Sequence, residues 1–136
     1  MTNDDDKPRV HGIGGIFFKA EDPKALTAWY SKHLGVGSEE WGGHIFKWKR
    51  EDGAPAYSVW SPFKATTDHF KPSDKAYMIN MRVDDLDAVL AALKEEGCQV
   101  LDDRYTDSEY GKFGYVVDPE GGLIELWQQP AEEPGA

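Results

Sequence analysis

The chain says the same thing twice, and that constrains its fold more than any other feature. The first copy is GGIFFKAEDPKALTAWYSKHLG (14–35), and the second is YMINMRVDDLDAVLAALKEEG (77–97). Each begins as a short apolar strand and passes through an aspartate into a helix that ends at glycine. Asp22 is the N-cap of the first helix, with Pro23 at the first helical position, where its missing N–H costs nothing. Leu26, Trp29, Tyr30 and His33 then fall at helical spacing, and Gly35 closes the helix. In the second copy Asp85, or equally Asp84, is the cap. Leu86, Val89, Leu90 and Leu93 form the apolar stripe, and Gly97 closes it.

Strand-like segments follow each helix. After the first come HIFKWKR (44–50), a turn at Glu51-Asp52-Gly53 and AYSVWS (56–61). After the second come CQVLDD (98–103), KFGYVVD (112–118), a turn at Pro119-Glu120-Gly121 and LIELWQ (123–128). Module two, at about 76–129, reads as β-α-β-β-β, and module one, at about 12–62, is expected on the same β-α-β-β-β plan with two of its three later strands visible. A half this small cannot bury its sheet alone, so two halves or two subunits must pack together. The expectation is one α+β domain over 10–130, its helices outside and its sheet curving as an eight-stranded cup around a cavity. Residues 1–9 and 131–136 are expected as flexible tails.

Placing Asp22 on Asp85 pairs Gly15 with Met78, Phe17 with Asn80 and Lys19 with Arg82. Strand alternation then directs three groups into the cavity: Phe17 and Lys19; Met78, Asn80 and Arg82; and Leu123, Glu125 and Trp127. Pairing Trp60 with Trp127 adds Ser58 and Trp60, although a slip of one residue would substitute Val59 for Ser58. The resulting pocket is apolar and aromatic with a few polar groups, the usual make-up of a small-molecule site.

Glu125 is the residue that asks for an explanation. It sits in the middle of an apolar strand and shares a face with Leu123 and Trp127. It is a structural ion-pair member, an anchor for a ligand amine or hydroxyl, or a general base. Arg82 and Lys19 are the expected charge partners, and Asn80 can donate to the carboxylate. The loops 61–77 and 103–113, with Phe63, Phe70, Tyr105 and Tyr110, are candidate lids. His33 on the apolar helix stripe is expected as a core histidine, and Cys98 as a small buried residue.

The three stretches FFKAEDPKALTAWYSKHLG, MRVDDLDAVLAALKEEG and YGKFGYVVDPEGGLIELWQ, in this order and spacing, resemble the vicinal oxygen chelate superfamily. That superfamily includes glyoxalase I, bleomycin-resistance proteins and extradiol dioxygenases. The resemblance implies paired modules, usually in a homodimer of bacterial type. It also implies a divalent metal held by side chains from the first and last strand of each module. Carried over, these positions fall on Gly15, Ser58 (or Val59), Met78 and Glu125, of which only Glu125 is a competent ligand. No metal site and no cofactor are therefore expected, beyond weak, exchangeable divalent-ion binding.

Charge and composition narrow the partners. Twenty-five acidic residues against fifteen basic ones give a net charge of −10, which argues against nucleic acid and anionic membranes. No apolar run is long enough to span a membrane, and a single cysteine fits a reducing cytoplasm. The expected function is metal-independent binding of an aromatic or cationic small molecule, in the manner of glyoxalase-like and bleomycin-resistance proteins. The enzymatic alternative is a lyase or isomerase resembling lactoylglutathione lyase, metal-dependent or using Glu125 as acid–base catalyst.

Overall fold

The computed structural model describes residues 9–37 and 39–130. Strand β1 (Val10–Ala20), helix α1 (Pro23–Leu34), β2 (His44–Lys49) and β3 (Pro55–Lys64) make the first module. The second comprises β4 (Tyr77–Val83), α2 (Leu86–Glu95), β5 (Gln99–Val100), β6 (Thr106–Ser108), β7 (Gly111–Val117) and β8 (Leu123–Gln128). A 3-10 turn at Asp102–Arg104 lies between β5 and β6. All eight strands join one sheet in the order β2-β3-β1-β4-β8-β7-β5, with β6 paired to β7. The strands divide three and five between the modules. Residues 36–37 and 39–43 form no strand, with Gly37 and Gly42 at positive φ, where the second module places β5.

The duplication is written into the register. Gly15 pairs with Asn80 and Phe17 with Met78 across the antiparallel β1–β4 seam. This is the crosswise exchange that a two-fold relation between the modules requires. On either side of the seam the last strand of each module runs parallel to its first, β3 beside β1 and β8 beside β4.

Both helix caps form as their sequences dictate. Asp22 Oδ1 accepts from the Ala25 N–H and Asp85 Oδ1 from the Ala88 N–H, each at 3.1 Å. Asp84, the alternative cap, is instead paired with the Arg50 guanidinium at 2.8 and 3.0 Å. Gly35 takes the left-handed conformation after α1, with φ 72°.

The two sheet faces have separate cores. On the helix side Leu86 and Leu90 of α2 pack with Val83, Val116 and Leu126. On the concave side Phe70, Met78, Tyr115 and Leu123 form a second cluster, backed by Phe17 and Phe63. Helix α1 buries none of its residues fully, so His33 is exposed against the Trp29 ring rather than in the core. Cys98 is likewise exposed, because it follows the helix-closing glycine at the surface. The expected tails lie outside the described residues except Arg9. That residue is anchored by a two-pronged ion pair to Glu96 at 3.1 and 2.6 Å.

Candidate functional site

The concave face encloses a cavity of about 620 Å³. Its position follows from alternation along the central strands. Phe17 comes from β1, Asn80 from β4, and Glu125 and Trp127 from β8, all into the same space as the sequence reading expects. Phe113 of β7 also lines it, its ring stacked on Trp127 with centroids 5.8 Å apart and planes 6° apart. Tyr57 and Val59 come from β3.

Strand β3 shows where the register of module one differs from expectation. Gly15 pairs with Val59 and Phe17 with Ser61, so the odd-numbered residues of β3 face the cavity. Ser58 points away, receiving the Trp48 indole N–H at 2.7 Å and donating to the Ile13 carbonyl oxygen at 2.5 Å. Trp60 lies on the helix side, between Phe18 and Tyr30 at centroid distances of 5.3 and 4.8 Å. The one-residue slip that would exchange Val59 for Ser58 is the arrangement found, and it turns both residues to the other face.

Other expected site residues share the concave face but not the open space. Met78 and Leu123 are fully buried in the floor cluster. Lys19 reaches over the Phe70 ring, 6.0 Å from its centroid. Arg82 is 2 % exposed, donates to the Tyr57 carbonyl at 2.8 Å and stands against the rings of Trp48, Tyr57 and Trp127. Lys19 and Arg82 are thus engaged away from Glu125.

Three other groups surround that carboxylate. Asn80, directly beside it in the parallel β4–β8 register, donates through Nδ2 to Glu125 Oε1 at 2.7 Å. Tyr115, opposite it on β7, donates its phenolic O–H to Glu125 Oε2. His69 Nε2 stands 3.9 Å from the same oxygen. Glu125 is only 5 % exposed, so these donors replace the water that an open carboxylate would hold. Burial first, and then the charge of Glu125, push the Tyr115 phenol well above its ordinary range and keep it a donor. Burial lowers the His69 imidazole, against the opposing pull of Glu125, and nearby Arg104 lowers it further.

The 65–76 loop delivers His69. It packs as the floor of the cup, with Phe70 and Ser73 each 1 % exposed, rather than as a lid over the mouth. Arg104 fixes it from below, donating to the carbonyls of His69 and Lys71 at 3.0 Å each while its guanidinium covers the Tyr115 ring at 4.1 Å. The other expected lid, 103–113, does reach the rim. There Tyr110 lines the mouth together with Trp41, both of them more than half exposed.

Tyr115 and Phe113 are among the site residues that the sequence reading passed over, as are Tyr57, Trp41 and His69. A signal for the first two existed. In the hairpin at 118–122 the Asp118 N–H bonds the Gly122 carbonyl, and counting outward pairs Val117 with Leu123, Tyr115 with Glu125 and Phe113 with Trp127.

A glyoxalase-like domain family model matches residues 15–127. The chain belongs to this family. With it comes membership of the vicinal oxygen chelate superfamily, which the solved structures bear out at the level of the fold. A variant of methylmalonyl-CoA epimerase from Streptomyces coelicolor, in complex with 2-nitronate-propionyl-CoA, superposes with a TM-score of 0.63. The match is 19 % identical and covers 92 % of this chain and 99 % of the epimerase. The Mycobacterium tuberculosis methylmalonyl-CoA epimerase gives 0.56 at 19 % identity, with 91 % of each chain covered. A glyoxalase/bleomycin resistance protein/dioxygenase superfamily member from Vibrio splendidus 12B01 gives 0.54 at 13 % identity, covering 87 % of this chain and 98 % of its own. No curated protein sequence matches the chain.

The superfamily implies a divalent metal, and the residues present do not fit one. The register sets Asn80, not Met78, beside Glu125, and an amide N–H is directed at the carboxylate. The other oxygen receives the Tyr115 hydroxyl, also as a donor. A metal ligand must turn lone pairs toward the ion, and here each carboxylate oxygen already accepts from one donor. Among the described residues no three His, Cys, Asp or Glu side chains converge as a ligand set. What the site offers is a rigid carboxylate on an aromatic wall.

Proposed function

We propose that this glyoxalase-like domain is a small-molecule-binding protein that takes a flat aromatic or cationic compound into its cavity without a metal. One observation carries the reading. Glu125 is locked by Asn80 and Tyr115 on the wall of a mostly apolar, aromatic space, next to the stacked Phe113–Trp127 pair. A carboxylate held this way is pre-organised to meet a ligand group, and the aromatic planes supply the contact area. Trp41 and Tyr110 at the mouth extend the same aromatic surface outward.

The acyl-CoA ligand of the epimerase structure is not carried over. A polyanion entering here would approach a chain of net charge −10 and an anionic wall. The reading further includes a homodimer, supported by the exposed apolar side chains Ile16, Trp29 and Leu34 on the helix side of module one. A reducing cytoplasm is its setting, supported by the single cysteine. No described helix is long and apolar enough to cross a membrane.

One contact favours a second reading, a metal-free lyase or isomerase. His69 Nε2 lies behind Glu125 at 3.9 Å, placed to exchange a proton that the carboxylate takes from a substrate.

The test is calorimetric titration of Ni²⁺, Zn²⁺ and Mn²⁺, followed by a screen of aromatic amines, aromatic acids and uncharged aromatics read by tryptophan fluorescence. The expected result is no stoichiometric metal binding and saturable quenching by an aromatic class. Tight metal binding that Glu125→Gln abolishes would refute the proposal. Solvent deuterium appearing in a substrate would move the assignment to the enzymatic reading.

A further inference from the structure

The two modules finish their outer edges differently. In the second, β7 pairs with β8 on one side, while its other side is taken by β6 at Gly111, Lys112 and Phe113 and by β5 at Val116 and Val117. In the first, β2 is the counterpart of β7, the outer strand of the hairpin with β3. Strand β2 ends the sheet. Among the described residues, no backbone hydrogen bond joins residues 45–48 to anything but β3. About half of the N–H and C=O groups of an edge strand turn outward, so β2 presents a row of open donors and acceptors.

This strand has little that blunts an edge. It is six residues long, contains no proline and pairs with β3 in continuous register. The edges of module two, by contrast, are two and three residues long. The charges that β2 carries, Lys47 and Lys49, are spaced so that they need not meet in a self-pairing.

Alternation gives β2 two faces. Ile45 and Lys47 line the cavity. His44, Phe46 and Trp48 lie on the opposite face, where the His44 and Phe46 rings stand 4.7 Å apart and the Trp48 indole bonds Ser58. Phe46 is 44 % exposed. The aromatic rings are thus symmetric about Phe46. Laid antiparallel against a copy of itself with the axis at Phe46, the strand sets Phe46 opposite the partner's Phe46 and His44 opposite the partner's Trp48. Ile45 then faces the partner's Lys47, and aromatic pairs fill the other face. Moving the axis to Lys47 would set two lysines against each other. In the Phe46 register Lys49 falls opposite the partner's Gly43, beside the turn that carries Glu39 and Glu40, so both ends are complementary in charge.

We infer that β2 is a self-association edge, where a second copy of this chain adds its own β2 antiparallel. The copy takes the place that β5 and β6 hold in module two. It also sets the partner's Lys47 beside Ile45 at the outer wall of each cavity. The net charge of −10 repels two chains at a distance, but β2 itself carries only basic charges, and salt screens the rest beyond about 8 Å. This contact is separate from the apolar side chains of the helix side that support the homodimer above.

The experiment is sedimentation equilibrium of the full chain, wild type against Phe46→Glu and Trp29→Glu, with amide hydrogen exchange read on β2. Wild type should be a dimer that Phe46→Glu weakens about tenfold or more, because an aromatic pair becomes a pair of like charges. The outward amides of β2 should lose their protection in that variant. Trp29→Glu should leave the dimer within about twofold. A dimer that survives Phe46→Glu but not Trp29→Glu overturns the inference and leaves the helix-side homodimer standing. A monomer at every concentration overturns both. Protected β2 amides in a monomer also overturn the inference, since another segment of the chain would then cover the edge. Oxidative cross-linking tests the register, and does so even if Phe46→Glu fails to fold. In a Cys98→Ser background, Phe46→Cys should form a disulfide-linked dimer about tenfold or more faster than Lys47→Cys. Directly opposite residues stand about 4.5–5.5 Å apart and diagonal ones about 7–8 Å. Equal rates, or Lys47→Cys in the lead, overturn the inference.

Discussion

Asn80 and Glu125 stand side by side on adjacent parallel strands, and the 2.7 Å hydrogen bond between them joins the two halves of the site's chemistry. The carboxylate gains a donor where water is excluded, and the carboxamide gains a fixed direction. Removing the donor leaves a buried charge short of a partner. Asn80→Ala should therefore destabilise the fold by about 1–3 kcal/mol, measured as a fall in the urea midpoint at constant slope. A midpoint unchanged from wild type would mean that Glu125 is solvated in solution.

The Tyr115 phenol supplies an alkaline signature. Burial and the neighbouring carboxylate raise its folded pKa above that of the unfolded chain, about 10. Above that pH the unfolded state loses the proton first, so the contribution is complete below about pH 10 and disappears as pH climbs further. Tyr115→Phe should be less stable than wild type by about 1–2 kcal/mol at pH 7. The gap between the two proteins should then narrow at higher pH. Urea titrations from neutral to alkaline pH check this, and a gap that stays constant would contradict it.

Trp60 and Trp127 separate packing from binding. Trp60 lies against Phe18 and Tyr30 on the helix side, Trp127 against Phe113 on the cavity wall. Trp60→Ala should cost about 2–4 kcal/mol of stability and leave the affinity of a bound aromatic within about twofold. Trp127→Ala should lose most of that affinity. Calorimetry of both variants with one ligand decides; equal losses of affinity would mean that the β3 register in solution differs.

Gly14 offers a one-methyl test. The new carbon in Gly14→Ala would come 2.2 Å from Asn80 Oδ1, 2.9 Å from Arg82 Cγ and 3.0 Å from a Trp127 ring carbon. Those groups are buried and cannot all retreat, so a loss of about 1–3 kcal/mol is expected, together with a displaced Asn80 side-chain amide resonance. An unperturbed amide signal at wild-type stability would show that the wall is looser than this packing implies.

Much of this architecture is legible in the sequence. Asp22 and Asp85 are caps because a short carboxylate can reach the free N–H groups of a first helical turn, and that is local chemistry. The alternation in LIELWQ put Leu123, Glu125 and Trp127 on one face, and all three lie on the concave side. The repeat made Gly15 equivalent to Met78 and Phe17 to Asn80, and in the seam each pairs with the other's counterpart, as a two-fold requires. Ser58 and Trp60 came out on the wrong side because nothing local sets the register of β3. That strand takes its level from β1, through a parallel pairing whose connection includes a whole helix.

The chain by itself thus determined both helices and where they begin, most of the strands, and that two similar halves share one sheet, but not that module one has three strands or that β6 forms at Thr106–Ser108. Capping, periodicity and turn chemistry act within a few residues, and such signals survive in a linear sequence. The sequence offered Asn80 as a donor to Glu125, but only the tertiary structure decided that Lys19 and Arg82 are engaged elsewhere and that Tyr115 and His69 stand beside it. Tyr115 comes to it across a hairpin, Asn80 from the neighbouring parallel strand, and His69 from the loop that joins the modules. Those three groups stand 10, 45 and 56 positions away along the chain. Burial then makes the hydrogen bonds of Asn80 and Tyr115 strong, because a carboxylate removed from water must be satisfied by whatever donors the fold brings within reach.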